Sequence, residues 1–250
     1  MPDKQLVVFD FDWSFVDQDT DRWVFEVLST PHRRLLQDRK SGATGVQCTP
    51  DVVDQTMGDL AEAGFTRDDV LGALRILPLH PAMKRAVLGL KDRRPETVFI
   101  CISNSNEVYI QTILEEHGLT GLFDTVITNP AAWSSAAPNR LHVGRRLPAS
   151  AAPHGCTVGC LDNMCKGDEL DAYVAAHGGR DAFQRITYVG DGGNDFCPLL
   201  RMRKGDWACV RTPGYELEER IRNEGDKCGL QVDVKLWDQA WRIDEYFQQL

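Results

Sequence analysis

Two carboxylates follow a short apolar segment near the start of the chain. Residues 6–9 are apolar and include two valines, a pattern typical of a strand buried on both faces of a parallel sheet. Asp10 and Asp12 come directly after this segment, and the hydroxyl of Ser14 follows. Ligands of open α/β sheets bind beyond the carboxyl ends of the strands, so this position predicts a functional site. Two acids this close repel each other unless a cation lies beside them, and a cation next to a nucleophilic Asp suits phosphoryl transfer.

Apolar strand patterns alternate with helical patterns along most of the chain. After the first strand, we expect strands near residues 97–103, 123–128, 185–190 and 207–210, and helices near residues 107–117 and 166–176. Strands that are separated by helices favour a doubly wound parallel sheet, so the expected fold class is α/β and Rossmann-like.

Residues 17–78 interrupt this alternation. Helices are expected near residues 22–37, 51–63 and 68–77, with no strand between them, and Thr66 with Asp69 resembles a capping box. An insertion directly after the first strand lies over the carboxyl edge of the sheet. We therefore expect a small helical cap at residues 17–78 and a core formed by residues 1–16 and 79–250.

The charge of the chain limits the class of partner. The formal net charge is −9 at pH 7, which argues against nucleic acid or an anionic membrane surface as the main partner. No apolar run approaches the ~20 residues that span a bilayer, and the N-terminal residues show no secretory leader. We expect a cytoplasmic protein that acts on a small molecule, as a monomer or a homodimer.

Further polar residues stand at the ends of other predicted elements. Ser103 and Asn104 end the second strand and offer a hydroxyl and backbone N–H groups to an anion, whereas Lys166 begins a helix. Asp191 and Asp195 lie in a glycine-rich segment directly after the fourth strand. Taken singly, each is an ordinary turn or surface residue. Their shared position at element ends argues for one site.

A cysteine-rich segment allows several interpretations. His154, Cys156, Cys160 and Cys165 lie within a dozen residues, but the cysteines are not spaced as the CxxC pairs common in zinc sites. A structural metal site, a redox-active pair and free thiols packed in a loop all remain open. Free thiols are the default in a reducing cytosol.

Taken together, these motifs resemble those of the haloacid-dehalogenase-like superfamily of aspartyl-phosphate hydrolases. A narrower resemblance is to the phosphoethanolamine/phosphocholine phosphatase family, which includes pyridoxal-phosphate phosphatases and plant relatives acting on pyrophosphate or thiamine phosphate. The segments that carry it are 9–12 with Asp17 and Asp21, 76–81, 154–156, 163–167 and 190–192. The resemblance implies a Rossmann-like core with a small helical cap.

The resemblance also implies roles in the chemistry. Asp10 would be the nucleophile and Asp12 the general acid and base. Ser103 and Lys166 would bind the transferring phosphoryl group, together with the backbone at Asn104.

A metal site and a substrate contact follow from the same resemblance. Mg²⁺ would be held by the carboxylates of Asp10 and Asp191 and by the backbone carbonyl of Asp12, with Asp195 in support. Asp21 would meet the head group of the substrate.

One departure from the resembled family concerns that head group. Asn104 stands where the family has an aspartate, which weakens the case for a cationic choline or ethanolamine group. We therefore expect a Mg²⁺-dependent phosphomonoester hydrolase of a small phosphorylated metabolite, with an aspartyl-phosphate intermediate on Asp10. The alternatives are a phosphotransferase or phosphomutase on the same fold and a non-catalytic protein that binds a phosphorylated ligand.

Overall fold

The structure is a computed structural model that describes residues 4–42 and 48–250. Residues 1–3, part of the segment examined for a leader, and residues 43–47, inside the expected cap, lie outside the described residues. Among the described helices, none is both long and apolar enough to cross a membrane.

Six parallel strands form the central sheet, in the order β3-β2-β1-β6-β7-β8. The sheet strands are β1 (Gln5–Phe9), β2 (Val98–Asn106), β3 (Thr125–Asn129), β6 (Arg185–Gly190), β7 (Trp207–Arg211) and β8 (Asp233–Trp237). Two short strands, β4 (Ala131–Trp133) and β5 (Leu141–Val143), form a separate antiparallel hairpin. The expected parallel α/β sheet is confirmed, and β1 lies between β2 and β6 at its centre.

Helices cover both faces of the sheet. Within the described residues they are α1 (Thr20–Leu28), α2 (Thr30–Lys40), α3 (Thr49–Glu62), α4 (Arg67–Arg75), α5 (Pro81–Arg93), α6 (Glu107–Glu116), α7 (Lys166–Ala176), α8 (Phe196–Leu199), α9 (Glu216–Cys228) and α10 (Ala240–Phe247). Apolar residues of α5, α6 and α10 pack on one face, and those of α7, α8 and α9 pack on the other. This layering is the doubly wound, Rossmann-like arrangement.

Strand β1 shows why its sequence is apolar throughout. Val7 and Phe9 belong to the apolar layer that contains α5, α6 and α10, whereas Leu6 and Val8 belong to the opposite layer. None of these four side chains has exposed surface. Because alternate residues of a strand point to opposite faces, a strand covered on both sides needs apolar residues at every position. The packed strand brings Asp10 to the carboxyl edge of the sheet.

Helices α1–α4 lie in the segment expected to form the cap. The single helix expected near residues 22–37 is wrong, because the structure has two helices, α1 and α2. Pro31 lies in the first turn of α2, where its missing N–H is tolerated, but the same residue would break a continuous helix. The capping box of Thr66 and Asp69 is present at the start of α4, as expected.

Ion pairs tie α3 to the β4–β5 hairpin. Asp54 accepts a hydrogen bond from the backbone N–H of Val143 at 2.9 Å and pairs with Arg140 at 2.8 Å. Asp51, in the first turn of α3, pairs with Arg145 just after β5. The hairpin follows β3 directly, so these contacts hold α3 beside the carboxyl edge of the sheet.

Candidate active site

The carboxyl ends of three adjacent strands bring the expected site residues together. Asp10 follows β1, Ser103 lies in the last half of β2, and Asp191 follows β6. Their exposed fractions are 6%, 1% and 8%. Strand β1 pairs with both of the other strands, so the three residues share one edge at the centre of the sheet. In doubly wound sheets this is where ligands bind.

The turn Phe11–Phe15 follows β1 and has a strained backbone. Trp13 has a φ of 54°, and it is the one non-glycine residue with positive φ in the part of the chain that the structure describes. The Arg211 guanidinium donates to the carbonyl of Trp13 and to the Asp17 carboxylate, which holds the turn in place. Strain of this kind persists only where surrounding contacts impose it, and it clusters at active sites.

Lys166 lies at the start of α7 and is buried between two carboxylates. Its Nζ is 2.8 Å from Oδ2 of Asp10 and 2.8 Å from Oδ1 of Asp195. Burial alone would lower the pKa of Lys166, but the two carboxylates outweigh it and the pKa is raised. The lysine therefore carries its positive charge where an anionic substrate would meet Asp10.

Asp195 has no free oxygen. Its Oδ1 accepts from the lysine and, at 2.7 Å, from the hydroxyl of Tyr188, while Oδ2 accepts from the backbone N–H groups of Asp191 and Gly192 at 3.0 Å each. A side chain at Gly190 would place its Cβ 2.7 Å from Oδ2 of Asp195, so glycine is required there. Asp195 thus positions its neighbours, and its supporting role at a metal site stays a prediction.

Asp12 differs from the other acids because part of it is unpartnered. Its Oδ2 accepts from the hydroxyl of Thr20 at 3.2 Å, but its buried Oδ1 makes no hydrogen bond within the described residues. The pKa of Asp12 is raised well above its usual value, first by burial and then by the charges of Asp19, Asp21 and Asp10. A raised pKa favours the protonated form of a carboxyl group, and this form can act as a general acid.

Two acids, Asp10 and Asp191, offer oxygens to one cation, and Asp195 lies beside them. Ligand atoms of Asp10, Asp191 and Asp195 lie within 4.8 Å of one another. Burial and neighbouring carboxylates raise the pKa of Asp10 to about 7 and that of Asp191 to about 8. The hydroxyl of Ser14 donates to Asp191 at 3.0 Å. A hard cation fits this donor set, because it would offset the repulsion between buried carboxylates that prefer to hold protons in its absence.

Asp21 lies near this group of acids, but it has a partner that the sequence did not reveal. Nζ of Lys40, the last residue of α2, is 3.7 Å from the carboxylates of both Asp21 and Asp19. Burial raises the pKa of Asp21 to about 7, opposed by the charge of Lys40. Lys40 is distant from the motifs in sequence, and only the packing of α2 on α1 brings it here. Asp21, the acid expected to meet the head group of the substrate, is therefore paired with the cation Lys40.

A cavity of about 610 Å³ lies between α3 and the loops at the carboxyl edge. Its lining includes Asn104, Asn194, Asp51 and Arg145. Oδ1 of Asn104 is buried and makes no hydrogen bond within the described residues, so it is available to a ligand. The hydroxyl of Ser103, one residue earlier, accepts from the backbone N–H of Ser105, which also lies in β2. The cavity offers amides and paired charges to a bound molecule.

Comparisons with known proteins find related phosphatases. The family described as "Putative Phosphatase" matches residues 5–250. A probable phosphatase phospho2 from Xenopus tropicalis is 31% identical over 222 residues, which cover 88% of each chain. The pyridoxal phosphate phosphatase PHOSPHO2 of Bos taurus is 30% identical over 247 residues, 98% of each chain.

A solved structure supports the fold. A HAD family hydrolase from Salmonella enterica superposes with a TM-score of 0.55 at 17% identity, covering 83% of this chain and 63% of that one. At this identity the likeness concerns the fold alone. Since the family match extends over nearly the whole chain, the chain belongs to the putative phosphatase family and is a phosphatase.

Proposed function

We propose that this phosphatase hydrolyses a phosphomonoester of a small metabolite through an aspartyl-phosphate on Asp10, with Mg²⁺ as cofactor. The observation that carries the proposal is the pairing of Asp10 with buried, charged Lys166 beside a second acid, Asp12, that has an unpartnered oxygen. One group is held for attack at phosphorus, and the other is free to exchange a proton. A protein that only binds phosphate has no need of the second acid.

Asp10 would act as the nucleophile. An oxygen of its carboxylate attacks the phosphorus in line with the leaving group, and the P–O bond to the metabolite breaks. Lys166 lies 2.8 Å from Asp10 and would neutralise the charge on the phosphoryl oxygens during the transfer. The hydroxyl of Ser103 and the backbone N–H of Asn104 would bind the same oxygens.

Asp12 would move the protons. Its raised pKa favours the protonated form, which can donate to the departing alkoxide. The resulting carboxylate then takes a proton from the water that attacks the aspartyl-phosphate. Phosphate leaves, and Asp10 and Asp12 return to their starting states.

The metal site would use oxygens that the structure leaves available. Asp10, Asp191 and the backbone carbonyl of Asp12 would hold Mg²⁺, and bound there the ion would screen the repulsion between the nucleophile and the phosphate dianion. Asp195 would not coordinate it directly, because both of its oxygens already accept two hydrogen bonds.

The substrate would enter between the core and helices α1–α4, which we propose act as the cap at residues 17–78. Lys40 reduces the negative charge at Asp21, and Asn104 adds none. These features favour a neutral or anionic phosphorylated metabolite over choline phosphate. The cytoplasmic location and the monomeric or homodimeric state stay predictions, although all eight cysteines are free in the structure, which fits a reducing compartment.

The decisive experiment compares the protein with its Asp10→Asn variant. Phosphate release is measured with Mg²⁺ for pyridoxal phosphate, thiamine monophosphate, phosphoethanolamine, phosphocholine and pyrophosphate. We expect turnover by the wild type and none by Asp10→Asn, since an amide cannot form the acyl-phosphate. An Asp38→Asn variant, altered at an exposed acid of α2 outside the proposed site, is the control for folding and handling.

Two results would oppose the proposal. Substantial activity of Asp10→Asn, after deamidation has been excluded by mass spectrometry, would remove Asp10 as nucleophile. Formation of a phosphorylated acceptor without release of free phosphate, when an alcohol or a second phosphorylated metabolite is supplied, would identify a phosphotransferase or phosphomutase instead.

A further inference from the structure

Four cysteine sulfurs converge beside the catalytic edge. The Sγ atoms of Cys156, Cys160, Cys165 and Cys197 all lie within 4.8 Å of one another. Sγ of Cys197 is 3.6 Å from Sγ of Cys156 and 3.6 Å from Sγ of Cys165. Three of the four come from the cysteine-rich segment, and the fourth comes from α8. His154 is not among them: its Nε2 lies 2.9 Å from the carbonyl of Leu161.

These distances match one kind of site. Sulfurs at about 2.3 Å from a tetrahedral zinc ion lie about 3.8 Å apart, whereas the sulfurs of a disulfide lie about 2.05 Å apart. We propose that Cys156, Cys160, Cys165 and Cys197 bind one Zn²⁺ in a structural, four-cysteine site, separate from the carboxylate site for Mg²⁺. Thiolates are soft ligands that select zinc, and carboxylates are hard ligands that suit magnesium.

Backbone groups are already placed to support thiolates. The N–H of Val158 donates to Sγ of Cys156 at 3.4 Å, and the N–H of Asp168 donates to Sγ of Cys165 at 3.4 Å. The second of these donors belongs to the first turn of α7. Hydrogen bonds from such outer groups orient metal ligands and favour their charged form.

The space for the cluster is provided by a glycine. A Cβ at Gly167 would lie 2.6 Å from Sγ of Cys197 and 3.2 Å from Nε of Arg201. Only glycine at this position lets α7 approach α8 closely enough for Cys197 to meet the other sulfurs. The nearby guanidinium of Arg201 would offset part of the negative charge of a zinc ion with four thiolates.

The position of the cluster explains what a metal would do there. Cys165 immediately precedes Lys166, and Cys197 follows two residues after Asp195. The zinc ion would therefore fix both partners of the buried ion pair that holds Asp10. It would also tie down the long segment between β5 and α7, which has no helix or strand of its own.

Metal content of the purified protein is the first test. The protein is produced in zinc-supplemented medium and purified without chelators or metal-affinity resin. We expect about one zinc per chain by mass spectrometry of metals. We also expect that Co²⁺, in its place, shows the thiolate charge-transfer band and d–d bands of a tetrahedral ion, which carboxylate ligands do not produce. A wild type without zinc and without that cobalt spectrum overturns the proposal, as does a disulfide among these cysteines in the protein as isolated.

Variants locate the ion. Cys160→Ser should lose zinc and melt at a lower temperature. Cys228→Ser, at an exposed cysteine of α9, should retain zinc and melt at the wild-type temperature. Asp10→Asn and Asp191→Asn should also keep zinc, so failure of the proposed phosphatase chemistry would not affect this result. If Cys160→Ser does not fold, the cobalt spectrum of the wild type still decides. Loss of zinc from the aspartate variants would place the ion in the carboxylate site and refute the cysteine site.

Discussion

At the scale of single residues, two neighbouring buried acids differ in their partners. Asp10 is held beside the charge of Lys166, 2.8 Å away, whereas among the described residues Asp12 contacts no cation and has one unpartnered oxygen. Burial raises the pKa of both groups, and that of Asp10 rises to about 7. The positive charge of the lysine opposes the shift at Asp10 and keeps its anionic form accessible near neutral pH. Two carboxyl groups two residues apart can therefore serve as nucleophile and acid.

The Asp12→Asn variant should lose general acid catalysis. We expect kcat for an alkyl phosphate to fall by roughly 10²–10⁴, the usual contribution of a positioned acid or base. The loss should be smaller for p-nitrophenyl phosphate, whose leaving group hardly needs a proton. Steady-state kinetics on both esters provide the measurement. Equal losses on the two would instead mean that Asp12 only helps to hold the metal.

At the scale of elements, strand and helix ends determine what surrounds the substrate. The end of β2 contributes Asn104 to the cavity, and the end of α2 brings Lys40 to Asp21. The first is visible in the sequence because it lies beside a motif. The contact of Lys40 with Asp21 depends on how two helices of the insertion pack, and no local sequence pattern predicts it. The specificity of the site is thus less predictable than its chemistry.

An Asn104→Asp variant should shift selectivity toward phosphocholine. A unit charge at ~4 Å from the cationic head group contributes about 1 kcal/mol in water and about 4 kcal/mol at an effective dielectric of 20. The ratio of kcat/KM for phosphocholine to that for a neutral ester of similar size should rise between about fivefold and about a thousandfold. Asn104→Ala, which removes the amide without adding charge, is the control. A wild type already strongly selective for phosphocholine, or an unchanged ratio in the Asp variant, would contradict the prediction.

At the scale of the whole molecule, the strands with strong apolar patterns were predictable. The pattern of residues 185–190 places β6 at its observed bounds, because a strand buried on both faces must be apolar. Strand β8 was not predicted, because it lies at the sheet edge and only Trp237 in it is buried. Cys197 was not predicted to lie beside the other three cysteines, because it is distant from them in sequence. Contacts between distant segments leave no local signature, so such clusters need the structure.

The acids gathered at one edge also cost the whole fold stability, and Asp21 lets this be measured. Its pKa is about 7 in the folded protein, raised by burial against the charge of Lys40, and about 3.9 in the unfolded chain. Below pH 4 the group is protonated in both states. Between pH 4 and pH 7 the unfolded chain releases this proton while the folded protein retains it, so stability falls as pH rises.

Asp21→Asn should therefore stabilise the protein at pH 8 by about 1–3 kcal/mol and change it little at pH 4. Lys40 keeps Asp19 as a partner in the variant, which limits the loss of the ion pair. Thermal melting of both proteins across this pH range, without Mg²⁺ and without chelator, gives the difference in Tm. Asp38→Asn, at an exposed acid of the same helix as Lys40, should show no such pH dependence. A difference between Asp21→Asn and wild type that does not vary with pH would show that Asp21 is charged in the folded protein throughout, and that its burial carries no cost.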